Sequence, residues 1–534
     1  MNDVRTLGVM IDLSRNALLK PESLKRFISL LSRMGYNMVM LYTEDTYEIE
    51  GEPYFGYMRA RYSKAQLREI DAYCSSLGVE LIPCIQTLAH LGSTLRWGKI
   101  PREDADCMLV DDERTYEMIG KMLDTVTECF SSKRIHIGMD EAAGIGRGKH
   151  LDIYGYEEPT AILGRHLARV TEMVEERGLT PMIWSDMFFR TWNGGNYEEA
   201  IEKCEVPREI IESVPKSCEL VYWAYSNDWV NIYDDMLYNH LQITDKLWFA
   251  GGAWGWVGLT PLNTYSITTM KTALDACKKY GIKDIMITLW SCYGAEGSRF
   301  AQLPALYTFA RYALGETDDE EIKREFYELV GVKFDDFLLL DIPNGIGSPA
   351  PELHRNNPSH YMLYSDPLHG YLDYTVAEGG RFYFTEAARK LRLAARRAGE
   401  YSYLFKTEAA LSEVLALKYD LGVRLREAYK SSDRQDLMRI SDELSRLVSR
   451  LRSLIVKERE QWYLENYVSG FEVIELRLGG LIERIRSVQM RLDSYLRHDT
   501  DVIEELEVEL LPYGNKGESM LAVGAKIFTT NVYL

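Results

Sequence analysis

Three observations predict an α/β fold, a (β/α)8 barrel followed by a mainly α-helical C-terminal domain. Eight short apolar runs recur through the first 315 residues, each followed by a longer amphipathic segment. The runs are continuously apolar rather than alternating, as parallel strands covered on both faces require. Beyond residue 315 these runs stop, and charged segments with apolar residues at three- and four-residue spacing take over. The predicted division is a barrel over 1–315 and a helical domain over 316–534, and 534 residues are too many for one ordinary domain. An open, doubly wound sheet is the competing arrangement. The even pacing of eight units and the lack of a Gly-rich phosphate loop favour the barrel.

The strand-like runs are LGVMIDLS from Leu7, NMVMLYT from Asn37, VELIPCIQ from Val79, RIHIGMD from Arg134, TPMIWSD from Thr180, ELVYWAY from Glu219, LWFAGGAW from Leu247 and DIMITLW from Asp284. Between the first two, PESLKRFISLLSRMG opens on Pro21 and closes on Gly35; between the next two, SKAQLREIDAYCSSLG closes on Gly78. Pro at the start and Gly past the end punctuate helices. In the second part, residues 385–432, 434–467 and 471–500 read as long helical patterns. The stretch from Asp335 to Gly380, rich in Pro, Gly, Asn and His, reads as irregular connection, and the end from Leu511 as a short tail packing back on the protein. The long amphipathic helices have two uses, packing against the barrel or forming a homodimer interface.

Composition narrows the function. A formal net charge of −19 argues against nucleic acid and against an anionic membrane surface. No stretch approaches the roughly 18 apolar residues of a membrane helix. The opening MNDVRTLGVMIDLSRN is too polar for a secretory leader, so a soluble cytoplasmic protein is expected. The cysteines at 74, 84, 107, 129, 204, 218, 277 and 292 are scattered without a CxxC pair, which favours free buried thiols over disulfides or a metal site. His90 and His136 form no ligand cluster by spacing, so neither a metal nor a cofactor is expected.

In a barrel the chemistry sits at the C-terminal ends of the strands. In order, those ends carry Asp12 and Arg15; Tyr42, Glu44 and Asp45; Gln86 and His90; Asp140 and Glu141; Trp184 and Asp186; Trp223 and Tyr225; Trp254 and Trp256; then Trp290 with Tyr293 and Glu296. Aromatic walls with a few carboxylates and one Arg suit a sugar, whose C–H faces stack on rings while its hydroxyls take hydrogen bonds. Each feature also has an ordinary structural reading: a buried Trp is commonly core, and Arg15 alone is commonly a surface ion pair. Asp140 and Glu141 are adjacent, and neighbours on a regular strand point to opposite sides. Both can face a pocket only where the chain turns; otherwise one is a helix cap and the other a solvated charge.

The run His136-Ile137-Gly138-Met139-Asp140-Glu141 resembles the His-x-Gly-Gly-Asp-Glu mark of glycoside hydrolase family 20, with Met139 at the second Gly. The likeness extends through the barrel, in Arg15 after IDLS, His90 in IQTLAHL, Trp184 and Asp186 in WSDMF, and the segments VYWAY, AGGAWGW and LWSCYGAE. It is nearest to the branch with no N-terminal α/β domain and a helical C-terminal domain. The resemblance implies an exo-acting, retaining β-N-acetylhexosaminidase acting on N-acetylated amino-sugar glycans or glycoconjugates by substrate-assisted catalysis. It implies Glu141 as acid and base, Asp140 and Tyr225 as partners of the 2-acetamido group, and Trp184, Trp254 and Trp290 enclosing that group and the sugar face. Arg15, His90, Asp186, Trp223 and Glu296 complete the implied substrate-binding set, and apolar neighbours are expected to raise the pKa of Glu141. Cys292 and Tyr293 stand where the branch usually carries acidic residues, which bears on recognition of O4 and O6 and so on N-acetylglucosamine against N-acetylgalactosamine. The competing functions are a hydrolase pairing Glu44 or Asp186 with Glu141, and a catalytically silent amino-sugar binder.

Overall fold

The structure, a computed structural model, describes residues 4–197, 201–226, 229–348, 356–370 and 372–511. Eight strands, β1 (Thr6–Asp12), β2 (Met38–Tyr42), β3 (Glu80–Cys84), β4 (Arg134–His136), β5 (Thr180–Trp184), β6 (Glu219–Trp223), β7 (Leu247–Gly252) and β8 (Asp284–Leu289), close a parallel barrel in sequence order. Closure is made by β1, which pairs with β2 from Gly8↔Met38 to Asp12↔Tyr42 and with β8 from Thr6↔Asp284 to Ile11↔Leu289.

Alternation along the strands divides the side chains between two layers. Met38, Met40 and Tyr42 of β2 join Met10, Ile82, Cys84, Met182, Trp184, Val221, Trp248, Ala250 and Met286 in one buried cluster, against which Trp223 and Trp290 pack. Val39 and Leu41, on the other side of β2, are equally buried. Five of these twelve residues are methionines, whose unbranched thioethers fill an irregular interior.

The helices start and stop where their sequences dictate. Pro21–Met34 has Pro at its first position and ends on Gly35 at φ 102°. Lys64–Ser76 is opened by a capping box: Ser63 accepts from the Gln66 N–H while the Gln66 side chain accepts from the Ser63 N–H. Long helices also follow β3 (Glu113–Cys129), β4 (Pro159–Glu175) and β7 (Asn263–Tyr280), whereas β5 is followed by the short helices Asp186–Arg190 and Arg208–Ser213.

The chain forms two compact units. One holds the chain up to Ala253 with Ser266–Trp290 and Leu306–Thr317; the other holds Trp254–Tyr265, Ser291–Ala305 and the chain from Asp318. Segments following β7 and β8 thus group with the helical unit. Within that unit Gly380–Ala395 packs on Ser402–Lys418, which packs on Arg434–Glu465, which pairs with Phe471–Leu496. Leu437, Ile440, Leu444, Leu447, Leu451 and Leu454 form the buried stripe of Arg434–Glu465, and Ile474, Leu478, Leu481, Ile485, Val488 and Leu492 that of its partner.

Four expectations need correction or limits. The run over 385–432 is three helices, Gly380–Ala395, Ser402–Lys418 and Leu421–Lys430, broken at a 3-10 turn that begins on left-handed Gly399. The stretch from Asp335 to Gly380 is less irregular than its composition implies and includes the helix Pro358–Tyr364. β4 stops at His136, well short of Asp140, and β7 stops at Gly252, before Trp254. The tail after Leu511 lies outside the described residues. All eight cysteines are free thiols. Among the described residues no helix is long and apolar enough to cross a membrane.

The Asp433 carboxylate caps Arg434–Glu465 by accepting from the N–H groups of Gln435 and Asp436. Asp433→Ala is expected to destabilise the helical unit by about 1 kcal/mol, read as an earlier loss of circular dichroism at 222 nm in urea. An unshifted midpoint would remove the cap from the account of that helix.

Candidate active site

The segment after β4 explains how two neighbouring carboxylates can serve one pocket. Gly138, Met139 and Glu141 have φ of 74°, 69° and 52°, all left-handed. A regular strand cannot contain such residues, so β4 ends and the chain turns. Met139 and Glu141 each bear a strain of about 1–2 kcal/mol that glycine would avoid. Gln86, beyond β3, holds the turn: its Oε1 accepts from the Met139 N–H at 3.1 Å, and its Nε2 donates to Asp140 Oδ1 at 2.7 Å and to the Tyr42 hydroxyl at 2.9 Å. The approach is close enough that a Cβ on Gly138 would lie 2.1 Å from Gln86 Oε1.

His90, itself left-handed at φ 58°, brings Nε2 to 3.2 Å from Asp140 Oδ2 and 3.6 Å from Glu141 Oε2. Asp106 accepts from the His90 and Gly92 N–H groups and fixes this loop. Burial opposes a charge on His90, but the facing Asp140 carboxylate overcomes it and pushes the pKa from 6.5 up to about 10. For Asp140, burial pulls upward; the charge and hydrogen bond of His90, with Gln86, hold the carboxyl below its usual value. The two form a buried ion pair. The Glu141 side chain is 50% exposed, and its charged neighbours are His90 and, at 3.7 Å, Arg190. It therefore has cationic groups where the sequence analysis expected apolar ones.

Asp186, the first residue of the short helix after β5, is fully buried. Its Oδ2 accepts from the Glu141 N–H at 3.1 Å and from Arg190 Nε at 2.9 Å. Burial, then the charge of Asp140, raises its pKa to about 7. Across the barrel mouth Arg15 Nη1 lies 3.1 Å from Glu44 Oε1, and its Nε lies 3.6 Å from Asp12 Oδ2. Burial raises Glu44 to about 7 despite Arg15.

The aromatic residues form a connected wall. Trp290 meets Tyr42 edge-on at 4.8 Å, Tyr225 at 6.4 Å and Trp184 at 6.1 Å between ring centroids. Trp223 stacks on Tyr225 at 5.1 Å and 18°. His136 lies 4.4 Å from Trp184, and burial lowers its pKa to about 3, so the ring is neutral. The buried indole nitrogens of Trp184 and Trp290 have no hydrogen-bond acceptor among the described residues.

The barrel unit thus brings together Arg15, His90, Asp140, Glu141, Trp184, Asp186, Trp223, Tyr225 and Trp290. Trp254 and Glu296 belong to the helical unit. There Trp254 stacks on Trp256 at 4.4 Å, while the buried Glu296 carboxylate is engaged by His360 Nδ1 at 3.0 Å, Tyr364 Oη at 2.7 Å and Arg477 Nη1 at 3.0 Å. Cys292 is half-buried in the same unit, and the side chain of Tyr293 lies outside the described residues. Arg190 escaped the sequence analysis, although its i,i+4 spacing from Asp186 was a usable signal.

A histidine whose folded pKa is raised adds stability fully present below its unfolded value and lost as pH rises through the folded one. The His90 contribution is therefore intact below pH 6.5 and is lost as pH approaches about 10. His90→Gln, which keeps a donor but takes no proton, is expected to flatten the fall in Tm over that window. An unchanged slope would mean that the pair is not ionic.

Two family models match the chain: "Glycosyl hydrolase family 20, catalytic domain" over residues 7–202 and "Glycoside Hydrolase 20C C-terminal domain" over residues 335–523. Hexosaminidase D from Homo sapiens is 25% identical over 227 residues, 39% of this chain and 43% of that protein. Hexosaminidase D from Bos taurus is 23% identical over 246 residues, 44% of this chain and 65% of that protein. The matched region spans less than two thirds of either relative. Among solved structures, a GH20 exo β-N-acetylglucosaminidase from Vibrio harveyi is 18% identical with a TM-score of 0.46, covering 61% of this chain and 58% of that one. With the catalytic-domain model on its first five strands and the 20C model on its helical unit, the chain belongs to glycoside hydrolase family 20, and its barrel carries that family's catalytic domain.

Proposed function

We propose that the chain is an exo-acting, retaining β-N-acetylhexosaminidase that removes terminal N-acetylglucosamine or N-acetylgalactosamine with help from the substrate's own acetamido group. The observation that carries the reading is the pairing of Asp140, buried and held as an anion, with Glu141, next in the chain and open to solvent. One is suited to a fixed electrostatic task, the other to repeated proton exchange.

In the first step Glu141 gives its proton to the glycosidic oxygen as the C1–O bond breaks. The acetamido carbonyl oxygen bonds to C1, forming an oxazolinium ion, and the aglycone leaves as an alcohol. Asp140 accepts the acetamido N–H and stabilises the positive charge that develops on that group. Tyr225 donates to the acetamido oxygen. In the second step Glu141, now a carboxylate, takes a proton from water as the water oxygen attacks C1 and the ring opens. Two inversions at C1 amount to retention.

The surroundings support these roles. Protonated His90 and Gln86 keep Asp140 charged and oriented. Asp186 is occupied by the Glu141 N–H and Arg190, which suits it to positioning Glu141 and not to attacking a sugar. The indole N–H groups of Trp184 and Trp290 are donors available to a ligand, and Trp223 extends the aromatic wall. Arg15, steadied by Glu44, supplies a charged donor for outer hydroxyls.

Wild-type protein is expected to release 4-nitrophenol from the N-acetyl-β-glucosaminide or its galacto epimer and not from the plain β-glucoside. Glu141→Gln is expected to lower kcat on a natural glycoside by roughly 10²–10⁴-fold, and Asp140→Asn by roughly 10²–10³-fold. Equal turnover of the plain glucoside would remove the acetamido group from the mechanism. Binding of N-acetylglucosamine without turnover of any aglycone would make the protein an amino-sugar binder.

A further inference from the structure

Two loops at the C-terminal end of the barrel carry aromatic side chains that the mechanism above leaves unused. Tyr54 and Tyr57 lie between β2 and the helix Lys64–Ser76, and Trp97 follows the short helix Gly92–Leu95 beyond β3. Tyr57 meets Trp97 edge-on at 5.1 Å; Tyr54 lies 5.8 Å from Tyr57 and 6.1 Å from Trp97. The three are 39%, 43% and 37% exposed, so each keeps ring surface in solvent. Lys99 places Nζ 4.9 Å from the Tyr54 ring centroid. Clustered exposed aromatics are uncommon without a ligand.

The rings stand on fixed backbone. The Arg59 guanidinium donates to the carbonyl oxygens of Ser14 and Arg15 and pairs with Asp45. Asp45 also accepts from Ser93 Oγ at 2.8 Å and Thr94 Oγ1 at 3.2 Å, which ties the two loops to one carboxylate. Gly56, left-handed at φ 62°, passes so close to Asp45 that a Cβ would meet its carbonyl oxygen at 2.1 Å. Between the two tyrosines, Phe55 is buried edge-on against Tyr47 at 5.1 Å. The clasp is continuous with the candidate site: it grips the backbone of Arg15, its carboxylate is the neighbour of Glu44, and the second loop begins at His90.

We propose that Tyr54, Tyr57 and Trp97 form a glycan platform that takes sugar rings on the leaving-group side of the scissile bond. The inference rests on the hexosaminidase reading and gives that enzyme a preference for β-linked oligosaccharides over small aglycones. The tilted rings offer several faces for pyranose C–H bonds, while Lys99 and the tyrosine hydroxyls offer donors to neutral hydroxyls. A macromolecular partner needs a far larger contiguous surface than three rings supply.

The test compares methyl N-acetyl-β-glucosaminide, whose aglycone is too small to reach the platform, with a panel of di- and trisaccharides ending in β-linked N-acetylglucosamine. Wild type is expected to show a higher kcat/KM on at least one trisaccharide than on the methyl glycoside. Trp97→Ala and Tyr57→Ala should each lower that trisaccharide value by about 5- to 10-fold, the scale of one aromatic contact, and leave the methyl glycoside unchanged; Trp97→Phe should restore most of the loss. Equal effects on both substrates, or none on any oligosaccharide, would overturn the platform while leaving the hexosaminidase reading intact. Failure of wild type on the methyl and 4-nitrophenyl glycosides and on every oligosaccharide of the panel would overturn both. A wild-type dimer that Trp97→Ala makes monomeric, by light scattering, would assign the face to a second copy of the chain instead.

Discussion

The site hangs on the left-handed turn that ends β4. Without it Asp140 and Glu141 would alternate across the sheet, one toward the barrel axis and one toward the surrounding helices. The conformation is unfavourable for Met139 and Glu141, so neighbouring structure must impose it. Gln86 does this directly. It accepts from the backbone of the turn and donates to the carboxylate that the turn presents, and so couples the chain's path to the aim of Asp140. Asp186 does the same one residue further on, by holding the Glu141 N–H. The strain is thus enforced from β3 on one side and from the end of β5 on the other.

Around this turn the barrel mouth gathers more negative than positive charge. Asp12, Glu44, Asp140 and Asp186 are buried; among the described residues Arg15, His90 and Arg190 are cations in contact with them. Burial of a carboxylate is tolerable only with close partners. Asp140 has the fullest set and is held below its usual value, whereas burial raises Glu44 and Asp186 to about 7. The same cavity therefore contains one carboxylate committed to its charge and two that respond to their surroundings.

The sequence revealed the barrel well, because each strand is a continuous apolar run and most helices carry their own start and stop signals. Strand ends were harder. RIHIGMD reads as seven residues of strand, yet only Arg134–His136 pair, since nothing in Met139 announces a left-handed residue. The candidate pair Asp140 and Glu141 was visible through resemblance; its supports were not. Gln86 acts through both ends of its amide, and Arg190 acts across a helical turn, contacts that no linear pattern displays. Trp254 and Glu296 lie close in sequence to barrel strands but fold with the helical unit, and their partners Tyr265, His360 and Arg477 show why: each residue is bound up in interactions local to that unit. The turn at Gly399 likewise divides what reads as one amphipathic run, and the helices on either side of it, Gly380–Ala395 and Ser402–Lys418, fold back to pack on each other.

The methionine-rich barrel interior has a chemical consequence. Met10, Met38, Met40, Met182 and Met286 have no solvent-accessible surface in the closed barrel. A thioether sheltered in this way meets peroxide only when the strands part, and the sulfoxide it then becomes is too polar to return to an apolar interior. Oxidation of these five sulfurs accordingly reports opening of the barrel interior, whereas Met58, Met438 and Met490, which are exposed, are open to oxidant in the folded protein.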